Sequence, residues 1–356
     1  MRISRLYGIG DLRLEEASRP TPGPGEVLLR VAAVGVCGSD VHYYREGRIG
    51  DAIVTDPLIL GHEFSAWVAE LGPSTGPAEG SGLVAGQLVS VDPGISCGTC
   101  EPCQHGNPNL CPNVRFCGTP PIDGVFAEYV VMPAANCYPL PQGAGAVEGA
   151  LLEPLGIAIH SVDLAHLKPG QTVAVLGAGP IGLLVAAVAR AAGAGTVYMT
   201  EPLAHRRQFA LDYAAHGMAV ADAALNPDDS DVVAEILRLT DGRGVDVVFE
   251  AAGAADTPQQ AVDVACAGGR VILIGIPSDD TLTLKASAAR HKGLVIKPIF
   301  RMQHTYPRAI RLVQTGMVDV KSLATHLFPL DRIAEAFELV AAYEDGVLRA
   351  VIQVSE

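Results

Sequence analysis

Apolar positions in the first 150 or so residues come in short runs, each ended by Gly, Pro or Ser. Val27-Leu-Leu-Arg-Val-Ala-Ala-Val34 is rich in β-forming residues and follows the turn-forming Pro20-Thr-Pro-Gly-Pro-Gly25. Trp67-Val-Ala-Glu-Leu71, Leu88-Val-Ser-Val-Asp92 and Gly124-Val-Phe-Ala-Glu-Tyr-Val-Val131 repeat the pattern, and the Gly/Pro/Ser-rich stretch 73–82 reads as a surface loop. Many short strands with such turns predict a β-barrel-like first domain. The pattern changes at Leu167-Lys-Pro-Gly170. Gln171-Thr-Val-Ala-Val-Leu176 reads as a buried strand, followed by a glycine turn, an Ala/Leu/Val-rich helix to about Gly193 and a strand Thr196-Val-Tyr-Met-Thr200. The alternation continues, with strands expected at 218–222, 245–250, 270–275 and 293–297 and helices between them. Six strands in a doubly wound parallel sheet therefore account for residues 156–295. The remainder offers helices near 305–316 and 331–345 and a strand at Ala350-Val-Ile-Gln-Val354. It is too short to stand alone, so residues 296–356 are expected to complete the first domain, 1–155.

Composition narrows the class. A chain of 356 residues that is 49% apolar suits two globular domains, each with its own core. A net charge of −14 argues against nucleic acid, which needs basic clusters, and otherwise serves solubility. No run of 18 uncharged apolar residues appears, and the N-terminus carries no secretory pattern. The expectation is a cytoplasmic protein with no membrane partner.

The eight cysteines change the picture more. In Cys97-Gly-Thr-Cys-Glu-Pro-Cys-Gln-His-Gly-Asn-Pro-Asn-Leu-Cys111, spacings of three, three and eight let Cys97, Cys100, Cys103 and Cys111 close a tetrahedron around zinc. Four thiolates leave no open position, so this site is structural; a disulfide pair is the alternative. His105 is redundant there and reads as a surface residue. Cys117, Cys137 and Cys266 read as packing, the last on a helix of the second domain.

Gly35-Val-Cys-Gly-Ser-Asp-Val-His-Tyr-Tyr44 packs a thiol, a hydroxyl, a carboxylate, an imidazole and two phenols into a few residues. Cys37 can be a metal ligand or a nucleophile, and Ser39 and His42 can pass a proton. In Pro57-Leu-Ile-Leu-Gly-His-Glu-Phe64, His62 and Glu63 are adjacent. On a strand they would point to opposite faces, so both reach one metal only if the chain turns there, and Gly61 allows that. Glu153 sits in an apolar run before Pro154, where a carboxylate is costly unless paired or facing a metal. Gly177-Ala-Gly-Pro-Ile-Gly182 lies between a strand and a helix, with an acid, Glu201, nineteen residues after Gly182. That context makes it a dinucleotide turn, whose glycines let the backbone approach a pyrophosphate. Glu201 can bind both ribose hydroxyls and repels a 2′-phosphate, favouring NAD over NADP, while Arg206 stands near enough to contact a phosphate.

Together with Gly47-Arg-Ile-Gly-Asp51, Phe116-Cys-Gly-Thr-Pro-Pro121, Leu152-Glu-Pro-Leu155 and Phe300-Arg301, these motifs resemble the zinc-dependent medium-chain dehydrogenase/reductase family, in particular its polyol (sorbitol/xylitol/galactitol) dehydrogenase branch. The resemblance covers nearly the whole chain. It implies an α/β protein: a GroES-like β-barrel catalytic domain plus a doubly wound Rossmann domain with a six-stranded parallel sheet, and an active site in the cleft between them. It implies two Zn2+ per chain, the catalytic one held by Cys37, His62 and Glu63, with Glu153 beside the metal or exchanging onto it. Ser39 and His42 match the proton relay. Tyr43, Phe116, Glu153 and Arg301 match positions around the substrate. Gly177, Gly179, Pro180, Ile181, Gly182, Glu201, Arg206, Ile274, Gly275, Ile276 and Phe300 match contacts to NAD. Relatives are commonly homotetramers.

The implied reaction is oxidation of a secondary alcohol of a polyol to a ketose. The alternatives are threonine, a diol or another small secondary alcohol, and a relative that binds nucleotide without catalysis. Three departures stand out. All four lobe cysteines are kept, where some animal sorbitol dehydrogenases lack them. Met302 stands where those relatives have an aromatic residue, which bears on sorbitol as substrate and places substrate choice near Arg301 and Met302. The 73–82 loop is longer than usual.

Overall fold

The strand Glu26–Gly35 is buried almost throughout because both its edges are paired. In the computed structural model, which describes residues 1–75, 82–277 and 279–355, one edge takes Glu63–Leu71 antiparallel, with two bulges that bend the sheet. The other edge is shared end to end: Tyr129–Pro133 pairs with residues 26–30 and the C-terminal strand Arg349–Gln353 with residues 33–35. The C-terminal strand carries Ala324–Pro329 in parallel, and Glu63–Leu71 is followed outward by Leu88–Val91 and Cys137–Pro139. A hairpin of Arg2–Gly8 and Asp11–Glu16, paired to Leu58–Ile59, forms a second sheet. Val31, Val34, Phe64, Val91, Phe126, Phe337 and Ile352 share one buried core, which is the expected β-barrel-like domain. The stretch 73–82, expected to be a longer loop, lies mostly outside the described residues.

Chain contacts define two units, Met1–Glu153 with Val320–Glu356, and Pro154–Asp319. The return to the first unit thus begins later than expected. Residues 296–319 pack with the second unit because Val295–Pro298 is the sixth strand of its sheet and the helix Tyr306–Gln314 belongs to that unit as well. Arg308, on that helix, pairs through both guanidinium nitrogens with Asp163 on the helix Leu152–Ala165, and Tyr213 donates to the Asp319 carbonyl at 2.6 Å.

The sheet of the second unit runs Ala223–Leu225, Thr196–Thr200, Thr172–Leu176, Val245–Glu250, Ala265–Leu273, Val295–Pro298, all parallel. In chain order that is 3-2-1-4-5-6, the dinucleotide-binding arrangement. Two strands differ from expectation. The one placed at 218–222 is at 223–225, because His216 and Gly217, both at positive φ, fold Ala214–Ala215 back on Met218–Ala219 as a tight hairpin. The fifth strand starts at Ala265, so Cys266 is buried on a strand and not on a helix.

The ring of Phe337, from the returning C-terminal segment, packs 5.2 Å from Tyr44 and 5.7 Å from Phe126 and is fully buried. Phe337→Ala is expected to cost about 3–5 kcal/mol. Denaturant unfolding measures this, and a loss below about 1 kcal/mol contradicts the C-terminal segment as part of this core.

Candidate active site

The site starts at a helix end. Cys37 precedes the helix Gly38–Glu46 with extended backbone, and its N–H donates to Oδ2 of Asp40, three residues on, at 3.0 Å. This is the return half of a capping box. The other oxygen of Asp40 accepts the Gly61 N–H at 3.0 Å and lies 3.5 Å from Nδ1 of His62. Asp40 is buried, so one carboxylate joins the helix start to the segment that brings the next two polar residues. With Nδ1 turned toward Asp40, Nε2 is the ring atom left to face a metal. The neighbour problem of His62 and Glu63 is solved at Gly61, whose φ of +91° turns the chain so that Glu63 begins the strand and His62 precedes it. A Cβ at Gly61 would come within 2.9 Å of the Phe126 ring, so only glycine fits.

The ligand atoms of Cys37, His62 and Glu63 all lie within 4.8 Å of one another. Glu63 is fully buried, and a Cβ at Gly35 would collide with its Oε2. Its Oε1 is 3.0 Å from Nη1 of the buried Arg349, but that nitrogen donates to the Val36 carbonyl at 2.8 Å. Among the described residues, none gives either Glu63 oxygen a hydrogen bond of normal geometry. A buried carboxylate left so is costly, and a divalent cation satisfies it. Burial opposes a charged His62, yet the Asp40 and Cys37 anions outweigh it and hold the imidazolium well above the ordinary range. The cluster therefore attracts a cation, and its soft, borderline and hard donors suit zinc.

Glu153 is buried nearby but its oxygens are outside this convergent set. Burial pushes its carboxyl up to about 8, with His62 pulling down and Glu63 adding to the rise. The Phe116 ring lies 5.4 Å from that of His62. Ser39 stands on the first turn of the helix, and His42, one turn later at the rim, has Nδ1 3.1 Å from Glu46. Tyr43, expected beside the substrate, is only 4% exposed and belongs to the core, as does Tyr44, whose hydroxyl donates to Glu338.

The four lobe cysteines also converge within 4.8 Å, with Cys100–Cys103 and Cys97–Cys111 sulfur separations of 3.4 and 3.5 Å. Tetrahedral zinc with bonds of about 2.3 Å needs sulfurs roughly 3.8 Å apart. All eight cysteines are free thiols, so the disulfide alternative is not what forms. The Thr99 and Cys100 amides bring the Cys97 thiol down to about 5. At Cys100 the Cys103 amide lowers the thiol, but burial and three neighbouring sulfurs outweigh it and push it up to about 12. Four thiolates need a cation to coexist.

In the second unit, Thr172–Leu176 ends at Gly177, with φ of +104°, and the helix Pro180–Ala191 comes next. A Cβ at Gly182 would lie 1.9 Å from the Gly177 carbonyl, so the helix start presses on the turn. The buried Glu201 accepts the Ala178 N–H at 2.9 Å and the Leu203 N–H at 3.1 Å, linking the turn to the next helix. Nη1 of Arg206 is 3.6 Å from where a Gly179 Cβ would stand. Ile274 and Gly275 leave the fifth strand with their amides on the Glu250 carbonyl. Arg301 is left-handed, at φ +57°, and stacks 4.6 Å from the ring of Phe300, which is half exposed. Met302 is buried, its sulfur 3.2 Å from the Thr305 hydroxyl and against Gly156, so it anchors Arg301 from within and is not an open wall. Sequence reading missed Asp40, Arg349 and Glu250. The capping-box spacing could have found Asp40; nothing local announces Arg349.

Cys37→Ser is expected to reduce tightly bound zinc from two per chain to one, by elemental analysis. In the parent, Asp40→Asn should weaken zinc affinity at the Cys37, His62 and Glu63 site about 10–100-fold; unchanged affinity there would refute its orienting role. In metal-free protein the raised Glu153 carboxyl contributes stability that is present below its ordinary 4.5 and lost as pH rises through about 8. The stability of Glu153→Gln relative to the parent should therefore rise across that window in paired denaturant titrations, and a flat difference contradicts the shift.

Comparison with known proteins gives the same reading from outside. The alcohol dehydrogenase GroES-like domain family matches residues 23–142 and the zinc-binding dehydrogenase family residues 180–315. A sorbitol dehydrogenase of Bacillus subtilis (strain 168) is 35% identical over 99% of this chain and 97% of its own. A protein named probable D-xylulose reductase A, of Arthroderma otae, is 40% identical over 95% and 93%. Among solved structures, a zinc-binding dehydrogenase of Sinorhizobium meliloti 1021 bound to NADP superposes with a TM-score of 0.88 at 34% identity, over 99% of each chain. With Cys37, His62 and Glu63 gathered in one unit and a dinucleotide turn in the other, the chain belongs to the zinc-dependent medium-chain dehydrogenase/reductase family, in its polyol dehydrogenase branch.

Proposed function

We propose that this chain oxidises a secondary hydroxyl of a polyol to a ketone and passes the hydride to NAD. The observation that carries the proposal is the pairing of two unlike metal sites. The four-cysteine site is coordinatively closed. The Cys37, His62 and Glu63 set offers three donors, the number that leaves zinc a place for substrate. Zinc held there supplies Lewis acidity that makes a substrate hydroxyl easier to deprotonate, and the dinucleotide supplies the hydride acceptor.

The chain's own residues do the rest. Asp40 fixes the His62 ring, and Arg349 balances the Glu63 charge. Ser39, two residues from Cys37, takes the hydroxyl proton, and His42 passes it to solvent at the helix rim, where Glu46 supports its charge. Burial pushes the Glu153 carboxyl up, which favours its protonated, hydrogen-bond-donating form in the metal-free protein. Phe116, whose ring lies 5.4 Å from that of His62, is placed to contact the substrate. NAD is the preferred dinucleotide because the Glu201 carboxylate repels a 2′-phosphate. The net charge of −14 and the lack, among the described residues, of a helix long and apolar enough to cross a membrane fit a cytoplasmic enzyme, which we take to be a homotetramer.

A panel of polyols, diols and threonine followed at 340 nm, with NAD and then NADP, tests this reading. Polyols are expected to react fastest, NAD to exceed NADP in kcat/KM by about tenfold or more, and Cys37→Ser to abolish activity. Turnover of threonine or a diol alone would move the substrate class, and activity surviving Cys37→Ser would end the zinc mechanism.

A further inference from the structure

The exits of the fourth and fifth parallel strands are held together by one buried acid. Glu250 ends the strand Val245–Glu250 and is 1% exposed. Its Oε1 alone accepts three hydrogen bonds, from the Ala252 N–H at 2.9 Å, the Gly253 N–H at 2.8 Å and the Thr257 hydroxyl at 2.8 Å. Its main-chain carbonyl accepts the Ile274 N–H at 2.8 Å and the Gly275 N–H at 3.0 Å. The two exits touch: a Cβ at Gly275 would lie 2.2 Å from the Gly253 nitrogen and 2.7 Å from Oε2 of Glu250. A buried carboxylate is an expensive way to end a strand, and a short polar side chain would cap the same amides at lower cost.

What this loop abuts gives the expense a use. A Cβ on Gly177 would come within 3.1 Å of the Ala251 carbonyl group and the Ala252 nitrogen. The strand before Gly177 and the strand ended by Glu250 are neighbours at the point where strand order reverses. In doubly wound sheets the dinucleotide lies in the crevice at that point. Residues 251–253 thus form the wall facing the Gly177–Gly182 turn, and every bond to Oε1 sets that wall's backbone.

We infer that Glu250 is a positioning residue for the dinucleotide, fixing through Ala252, Gly253 and Thr257 the loop that faces the glycine turn. The inference rests on reading that turn as the dinucleotide site. It asks nothing of the alcohol substrate, so a binding measurement separates the two.

The test is calorimetric titration of the zinc-loaded enzyme with NADH, for the parent, Glu250→Ala, Glu250→Gln and Thr257→Val, with the unfolding midpoint of each. Glu250→Ala should weaken NADH about tenfold or more, since it removes three bonds to a charged acceptor. Glu250→Gln keeps an acceptor oxygen and should bind within about threefold of the parent, while Thr257→Val, losing one donor, falls between. A Glu250→Ala protein that unfolds earlier but binds NADH like the parent has lost only structure and overturns the inference. So does Glu250→Gln falling as far as Glu250→Ala. If Glu250→Ala does not fold, Thr257→Val decides: weaker NADH at unchanged zinc content supports the inference, and parental affinity overturns it. A parent that binds neither NADH nor NADPH refutes the reading of the glycine turn, and the inference with it.

Discussion

The Asp40 carboxylate is the interaction on which the metal site depends. Cys37 comes at the end of a core strand and His62 after a turn twenty-five residues later, and neither segment alone holds a side chain to the precision a metal needs. Asp40 takes an amide from each segment and faces His62 as well. Its burial keeps water from competing for those donors. The cost is a desolvated carboxylate beside Glu63 and the Cys37 sulfur. The buried Arg349 balances part of that charge, and a cation held there would balance the rest. Fold and chemistry are coupled there, because Arg349 arrives on the C-terminal strand whose pairing with Glu26–Gly35 completes the sheet.

Buried acids recur at the glycine turn with a different partner type. Glu201 and Glu250 are met mainly by main-chain amides, so they set backbone and not ligand side chains. Each ties the end of one parallel strand to a neighbouring loop. The sheet's order sets these two strand ends on either side of the strand that leads into Gly177.

Much of this was legible in the sequence. The apolar run Thr172–Leu176, the glycines after it and the acid after the next strand are local signals, and the structure keeps them within a residue or two. The four-cysteine lobe was legible for the same reason: its members lie within fifteen residues, and spacing alone restricts what they can form. What failed was non-local or turned on single dihedrals. The hairpin at His216-Gly217 moved a strand, and the helix Tyr306–Gln314 after the sixth strand stayed with the second unit, which periodicity does not encode. Arg349 reaches Glu63 only once the last strand has docked. Tyr43 looked like a substrate contact beside Cys37, yet it lies on the helix face turned to the core.

Cys37, His62 and Glu63 are expected to hold a second metal, distinct from the cysteine lobe. Anomalous diffraction from crystals of the purified protein, recorded on both sides of the zinc edge, tests it most directly. Two zinc peaks per chain are expected, one among the four lobe sulfurs and one about 2.3 Å from Cys37 Sγ and about 2.0–2.1 Å from His62 Nε2. A single peak in the lobe, from protein kept in zinc throughout, would contradict it.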